Sequence, residues 1–371
     1  MYMPNGMSSI LTSKINWLAE NTAYELHMIL TERPDLPWAY TMSPKVKWVN
    51  FDINFDRLDT MPLPKKIYHY VRKQRRYKRL LSDYLMSVKP HITVTALRRE
   101  INFINDIADG SVKIGEIHFS KHTYRKFSKP YLPRFANDLV TRLWTDSLLR
   151  QVRRLDTFVV LTNEDAALWP KLDNLKVIPN FLTTAADGRK SDCTSKKVMA
   201  AGRYEYQKGF DLLIAAWAKI HPSHPEWTLD IYGNGNVDAY KALAEQGNVG
   251  DSIVCHSATS DIREKMLQAS VFVLSSRSEG FGLVVIEAMS AGLPVVSFAC
   301  PCGPRDIIED GTSGLLVENG DIDQLANAMA KLMDDAQLRL SMASSALERS
   351  HHYDKDRTMA IWQQLFDSVA K

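Results

Sequence analysis

The sequence predicts an α/β protein of two doubly wound, Rossmann-like domains facing a cleft. Short Val/Ile-rich runs alternate with helical patterns, a polar stretch interrupts the alternation near the middle, and 371 residues suffice for two cores. In the front half YELHMIL (24–30), KVKWVNFD (45–52) and PHITVTAL (90–97) read as strands. VKIGEIHF (112–119), TFVVLTN (157–163) and LKVIPN (175–180) follow, with a helix-like 134–155 between the first two. TTAADGRKSDCTSKK (183–197) has no apolar period and reads as a linker. Beyond it VMAAGRY (198–204), TLDIYGNG (228–235), SIVCHSAT (252–259), SVFVLSS (270–276) and LPVVSFA (293–299) each precede a helical stretch. Continuous apolar strands separated by helices mean a parallel sheet covered on both faces. The expected domains are 1–182, with its first strand short or missing, and 196–355, followed by a helix at 356–371 that crosses back to the first domain.

Composition excludes several classes. With 45% hydrophobic and 24% charged residues the chain is neither disordered nor collagen-like. Its four cysteines include no CxxC, so neither a zinc site nor a disulfide framework is expected, and a reduced, cytoplasmic setting is. No run nears the roughly 18–20 apolar residues of a membrane span, and MYMPNGMSS lacks the order of a signal peptide, so the expectation is a soluble or peripheral protein. Residues 1–180 carry 28 Lys+Arg against 18 Asp+Glu, whereas 181–371 carry 18 against 25. The front half therefore faces something anionic. KKIYHYVRKQRRYKRL (65–80) holds eight of those cations and no acid. Ile67, Tyr70, Val71, Tyr77, Leu81 and Tyr84 fall near helical spacing, which sets one packed face against one cationic face. A solvated face and peripheral contact with an anionic membrane are the two readings; no nucleic-acid module accompanies the run, so no nucleic acid is expected.

The chemistry concentrates in SSRSEGFGLVVIEAMSAGLPVV (275–296). A strand ends near Ser276, a loop passes through Glu279-Gly280-Phe281-Gly282, and a helix starts at Leu283, whose free N–H groups suit a phosphate. Glu287 sits among apolar neighbours in the second turn and points back at the loop, where ligand hydroxyls would satisfy it, or else lies on a narrow solvent strip. In AAGRYEYQKGFDLLIAAW (200–217), Arg203 and Lys208 lie across a strand-to-helix turn and can converge on one diphosphate, or stand apart as surface cations. Gly233-x-Gly235 lacks the third glycine of a dinucleotide fingerprint, which disfavours a nicotinamide enzyme. Asp321-Ile322-Asp323 reads as a helix cap in preference to a metal-binding pair.

Together these segments resemble the retaining glycosyltransferases of family 4, which have the GT-B fold. EGFGLVVIE (279–287) is similar to that family's E-x7-E motif, GRYEYQKG (202–209) to its G-R-x4-K-G segment, and CGPRDIIEDGTSGLLVENGDIDQLANAM (302–329) to its continuation. NGMSSILTSKINWLAE (5–20) resembles the glycine-rich loop and first helix, with Asn5-Gly6 where two glycines are usual, and IGEIHFSKH (114–122) the strand bearing the active-site histidine. The resemblance implies that Arg203 and Lys208 hold the donor's diphosphate, that Glu287 accepts from the ribose hydroxyls, and that Glu279 contacts the donor sugar. It implies that backbone N–H groups of Gly280, Phe281, Gly282 and Leu283 face sugar and phosphate, that His118 stands near the reacting carbon with His122 as its competitor, and that Asn5, Gly6 and Met7 lie near phosphates or acceptor. The implied activity is retaining transfer of a hexosyl group from a UDP-sugar to a saccharide or lipid-linked acceptor in cell-surface glycan assembly, with no metal and no cofactor. A nucleotide-sugar 2-epimerase and a non-catalytic nucleotide-sugar-binding subunit are the alternatives.

Overall fold

The computed structural model describes residues 6–121, 124, 133–184 and 187–370. The chain opens on helix α1 (Gly6–Asn21), with no strand before it among the described residues, and continues through β1 (His27–Leu30), β2 (Lys47–Asn50), α2 (Leu63–Val88), β3 (Ile92–Thr95), β4 (Val112–Glu116), α3 (Arg134–Val152), β5 (Thr157–Val160), α4 (Asn163–Leu168) and β6 (Leu175–Val177). All pairings are parallel, but the strands form two sheets, β1-β2 and β3-β4-β5-β6, where the sequence predicts one.

The second domain holds β7 (Lys197–Ala201), α5 (Phe210–Ile220), β8 (Thr228–Gly233), α6 (Val237–Gln246), β9 (Ile253–Ser257), α7 (Ile262–Leu267), β10 (Val271–Leu274), α8 (Leu283–Ser290), β11 (Val295–Phe298), α9 (Pro304–Ile307), β12 (Gly314–Val317), α10 (Ile322–Asp334) and α11 (Ala336–Ser350). Its sheet runs β12-β11-β10-β7-β8-β9, parallel throughout. Successive residues of a strand feed opposite cores: Val198 and Ala200 pack with Trp217 and Leu229, while Met199 and Ala201 pack with Phe272 and Val285. A sheet buried on both faces explains the unbroken apolar runs. The strand order reverses between β7 and β10, so a crevice opens at their carboxyl ends, where ligands of open α/β sheets bind.

The last helix, α12 (Lys355–Val369), returns to the first domain. Met359, Trp362, Leu365 and Phe366 share a core with Ile10, Leu18, Ile114 and Phe181, and Trp17 Nε1 donates to Asp356 at 2.6 Å. Burying such side chains contributes roughly 1.5–3 kcal/mol each.

The linker lies against the second domain: Ser191 N–H donates to Ala291 O at 2.8 Å, and Arg339 Nε donates to Cys193 O at 3.0 Å. One expectation needs correction. On α2 only Tyr77, Leu81 and Leu85 are buried, whereas Ile67 and Val71 are 56% and 41% exposed. Lys73 and Arg76 donate to carbonyls just past β2, and Gln74 to one past β3, while Tyr70, in the turn before them, packs on Phe55 at 5.9 Å.

Candidate functional site

β7 ends at Ala201, and the chain turns at Gly202, where an added Cβ would stand 3.1 Å from Lys208 Cδ. At Gly209 φ is +63° and a Cβ would lie 2.0 Å from Ser275 O, so only glycine lets this turn close onto the end of β10. That closure delivers Lys208. Its Nζ donates to Glu279 Oε1 at 2.7 Å, and Ser276 Oγ donates to the same oxygen at 2.6 Å. Oε2 receives no donor among the described residues and is available to a ligand. The loop is held by Glu279 N–H to Pro301 O (2.7 Å) and Cys302 N–H to Glu279 O (3.0 Å).

Gly282, at φ +96°, caps the start of α8, whose first N–H groups have no acceptor within the helix and which follows the carboxyl end of β10. Glu287 sits one turn further on. Burial pushes its carboxyl pKa up and Lys208 pulls it back, so one ammonium acts on both glutamates.

The first domain meets this loop from across the cleft. A Cβ on Gly280 would lie 2.7 Å from His118 O, and a Cβ on Gly6 would lie 2.9 Å from Leu283 Cδ1, so α1 and α8 abut at their N-terminal ends. Both ring nitrogens of His118 are buried, and neither has a hydrogen-bond partner among the described residues. Arg98, on the loop after β3, lies 4.9 Å from the Phe119 ring and donates to Met7 Sδ at 3.9 Å. Beside the cleft the Asp306 carboxylate accepts from the N–H groups of Asn163 (2.8 Å) and Glu164 (3.1 Å) at the start of α4.

Thus Lys208, Glu279, Gly280, Gly282, Leu283 and Glu287 come together, with Gly6, Met7 and His118 opposite. Arg203 does not join them: its side chain is 59% exposed and pairs with Glu205 at 2.9 Å. The Phe281 ring is buried against Tyr353 at 5.7 Å, and its backbone packs on Gly303, where an added Cβ would stand 1.8 Å from Phe281 O. Asn5 and His122 lie outside the described residues. Asp321 caps α10, accepting from Gln324 N–H at 2.9 Å, and Asp323 pairs with Lys219. Gly233 serves packing, since a Cβ there would be 1.7 Å from Gly202 O. Sequence reasoning missed Ser276 and Arg98; Ser276 stands three residues before Glu279, a spacing at which a hydroxyl and a carboxylate can meet.

Residues 185–349 match the family model of glycosyl transferases group 1. An uncharacterized glycosyltransferase of Haemophilus influenzae is 30% identical over 216 residues, covering 57% of this chain and 61% of that protein. The lipopolysaccharide core biosynthesis glycosyltransferase LpsE of Rhizobium meliloti is 34% identical over 184 residues, covering 48% and 52%. This chain therefore spans between half and two thirds of these curated relatives. The crystal structure of Anabaena Alr3699/HepE, in complex with UDP and glucose, superposes with a TM-score of 0.71 at 15% identity, covering 100% of this chain and 97% of that one. Likeness at that identity shows the fold, which is the mixed α/β, two-domain fold of GT-B glycosyltransferases. The matched family segment contains Arg203, Lys208, Glu279 and Glu287; His118 and Gly6 lie outside it.

Proposed function

We propose that this protein is a retaining glycosyltransferase of family 4 that moves a hexosyl group from a UDP-sugar to a hydroxyl of a saccharide or lipid-linked saccharide in surface-glycan assembly. The observation that carries the reading is Lys208, placed at the reversal of strand order between two glutamates and beside the N-terminus of α8. Glycosyl transfer passes through an oxocarbenium-like state while negative charge grows on the leaving diphosphate. A fixed ammonium and helix N–H groups stabilise that charge where it develops, the part a metal ion plays elsewhere, so we propose that the reaction needs neither metal nor cofactor. Arg203 reaches the diphosphate after exchanging its exposed partner Glu205 for phosphate. Glu287 accepts from the ribose and Glu279 Oε2 from the sugar, while His118 stands near the reacting carbon and the N-terminal end of α1 lies near the phosphates or acceptor. LpsE's role in lipopolysaccharide core biosynthesis, and the UDP and glucose bound by the Anabaena protein, support the choice of product and donor.

The reading places the first domain on an anionic membrane at the cytoplasmic face. His69, Arg72, Lys73, Arg75, Arg76 and Arg79 line a cationic groove of ≈ 610 Å³ on α2, and Leu63, Ile67 and Val71 form an exposed apolar stripe at four-residue spacing on the same helix. No described helix is long and apolar enough to cross a membrane. Calorimetry with UDP tests the site: Lys208→Ala should weaken binding by about tenfold or more. Equal affinity in parent and variant would remove the diphosphate contact, and a new sugar nucleotide formed from donor alone would replace transfer with epimerisation.

A further inference from the structure

Behind His118 lies a buried ion pair that joins three distant parts of the chain. Lys14, in α1, places Nζ 2.6 and 2.5 Å from the two oxygens of Glu116, in β4, 102 residues away. Lys14 is 6% exposed and Glu116 2%. On its other side Lys14 Nζ stands 3.6 Å from the ring centroid of Trp362 in the returning helix α12. Glu116 Oε1 lies 3.6 Å from His118 Nε2.

Such a pair is a poor device for stability alone. Removing two charges from water costs several kcal/mol, and well-packed apolar residues of similar volume commonly do as well or better. Burial opposes the charge on Glu116, yet Lys14 and then His118 outweigh it and bring the carboxyl pKa down to about 2. Burial also draws Lys14 below the ordinary lysine value, with Glu116 opposing. The carboxylate therefore stays ionised beside an imidazole whose two nitrogens have no other partner among the described residues. An unpaired buried polar group costs roughly 1–3 kcal/mol, so the ring is incomplete until something else bonds to it.

We propose that Lys14 and Glu116 are positioning residues for His118: Glu116, clamped by Lys14 against Trp362, accepts a hydrogen bond from His118 Nε2–H, which leaves Nδ1 as an acceptor for a hydroxyl of the sugar seated against Gly280. A shift of about half an ångström closes the 3.6 Å gap to a hydrogen bond. The proposal rests on reading the cleft as a nucleotide-sugar site. The returning helix then helps to orient a ring in the cleft.

The experiment uses the full chain labelled with nitrogen-15 at histidine, with the His118 signals assigned by their loss in His118→Gln. In the parent, Nε2 should carry the proton and Nδ1 the lone pair. Lys14→Met/Glu116→Leu, which replaces the pair with apolar side chains, should lose that preference and lower kcat about 10–100-fold, with donor KM within about twofold. Lys14→Met/Glu116→Gln, which returns an acceptor oxygen, should recover the tautomer and most of kcat. An unchanged tautomer with unchanged kcat in the folded apolar variant would overturn the proposal, as would loss of kcat with the tautomer intact. If the apolar variant does not fold, the amide variant decides: retention of the Nε2–H form supports positioning, and its loss overturns it. The tautomer is read without turnover, so absence of UDP binding in the parent would sink the donor-site reading separately.

Discussion

The two domains build their halves of the cleft in different ways. The second uses one six-stranded sheet and places Lys208, Ser276, Glu279 and Glu287 on the ends of two adjacent strands and the helix that follows. The first has its strands in two pieces and assembles its side from Gly6, Lys14, Arg98, Glu116 and His118, on three separated stretches of chain. The proposed grip for phosphate is local, because adjacent strand ends and one helix tip supply its residues. The opposing wall depends on long-range packing, including a helix contributed from the far end of the sequence.

This division can be broken by experiment. Glu279→Ala should cut turnover about 10²–10³-fold while leaving the UDP Kd within about threefold, because it removes the proposed contact to the sugar and leaves Lys208 and the helix amides in place. Comparable losses in both would mean that sugar and diphosphate are not held separately. Arg72→Ser/Arg75→Ser/Arg79→Ser should lower partitioning onto anionic phospholipid vesicles about 100-fold, at roughly 1 kcal/mol per cation, with UDP affinity unchanged. Equal flotation with parent and variant would reject the membrane face. Gly280→Ala puts a Cβ 2.7 Å from the His118 carbonyl and should lower turnover about tenfold by parting the domains, with UDP binding preserved in the second. Unaltered turnover would show that the close approach is not needed. The smallest effect concerns pH. Glu287 has a raised pKa, and in the proposed role its ionised carboxylate accepts from the ribose hydroxyls more strongly than the protonated acid would, so UDP affinity should begin to fall on acidification above the ordinary carboxylate range, by a few-fold. In Glu287→Gln that dependence should vanish; a persistent one would assign it elsewhere.

Much of the second domain was legible because its chemistry is written at short range. Glu279 and Glu287 are eight residues apart, and the strand, loop and helix that carry them could be read from apolar runs and glycines. Lys14 gave no such signal: in a helix of mixed composition a lysine reads as solvent-exposed, and its partner lies 102 residues on. Ile67 and Val71 misled for a related reason. Periodicity shows which residues share a helix face, but not how much of that face has a neighbour to cover it, and both are exposed. The exposed pairing of Arg203 with Glu205 was equally invisible, since the motif states proximity in sequence and not which neighbour holds the guanidinium.

The attachment of the lobes carries one more consequence. α12 packs on α1 through an apolar seam, whereas near the cleft the lobes touch through single polar or close contacts: Asp306 with the first amides of α4, Ser120 Oγ with Cys302 Sγ at 3.2 Å, and His118 O against Gly280. The slender contacts give way before the seam, so the mouth should widen by rotation about the α12 side, like a hinged lid.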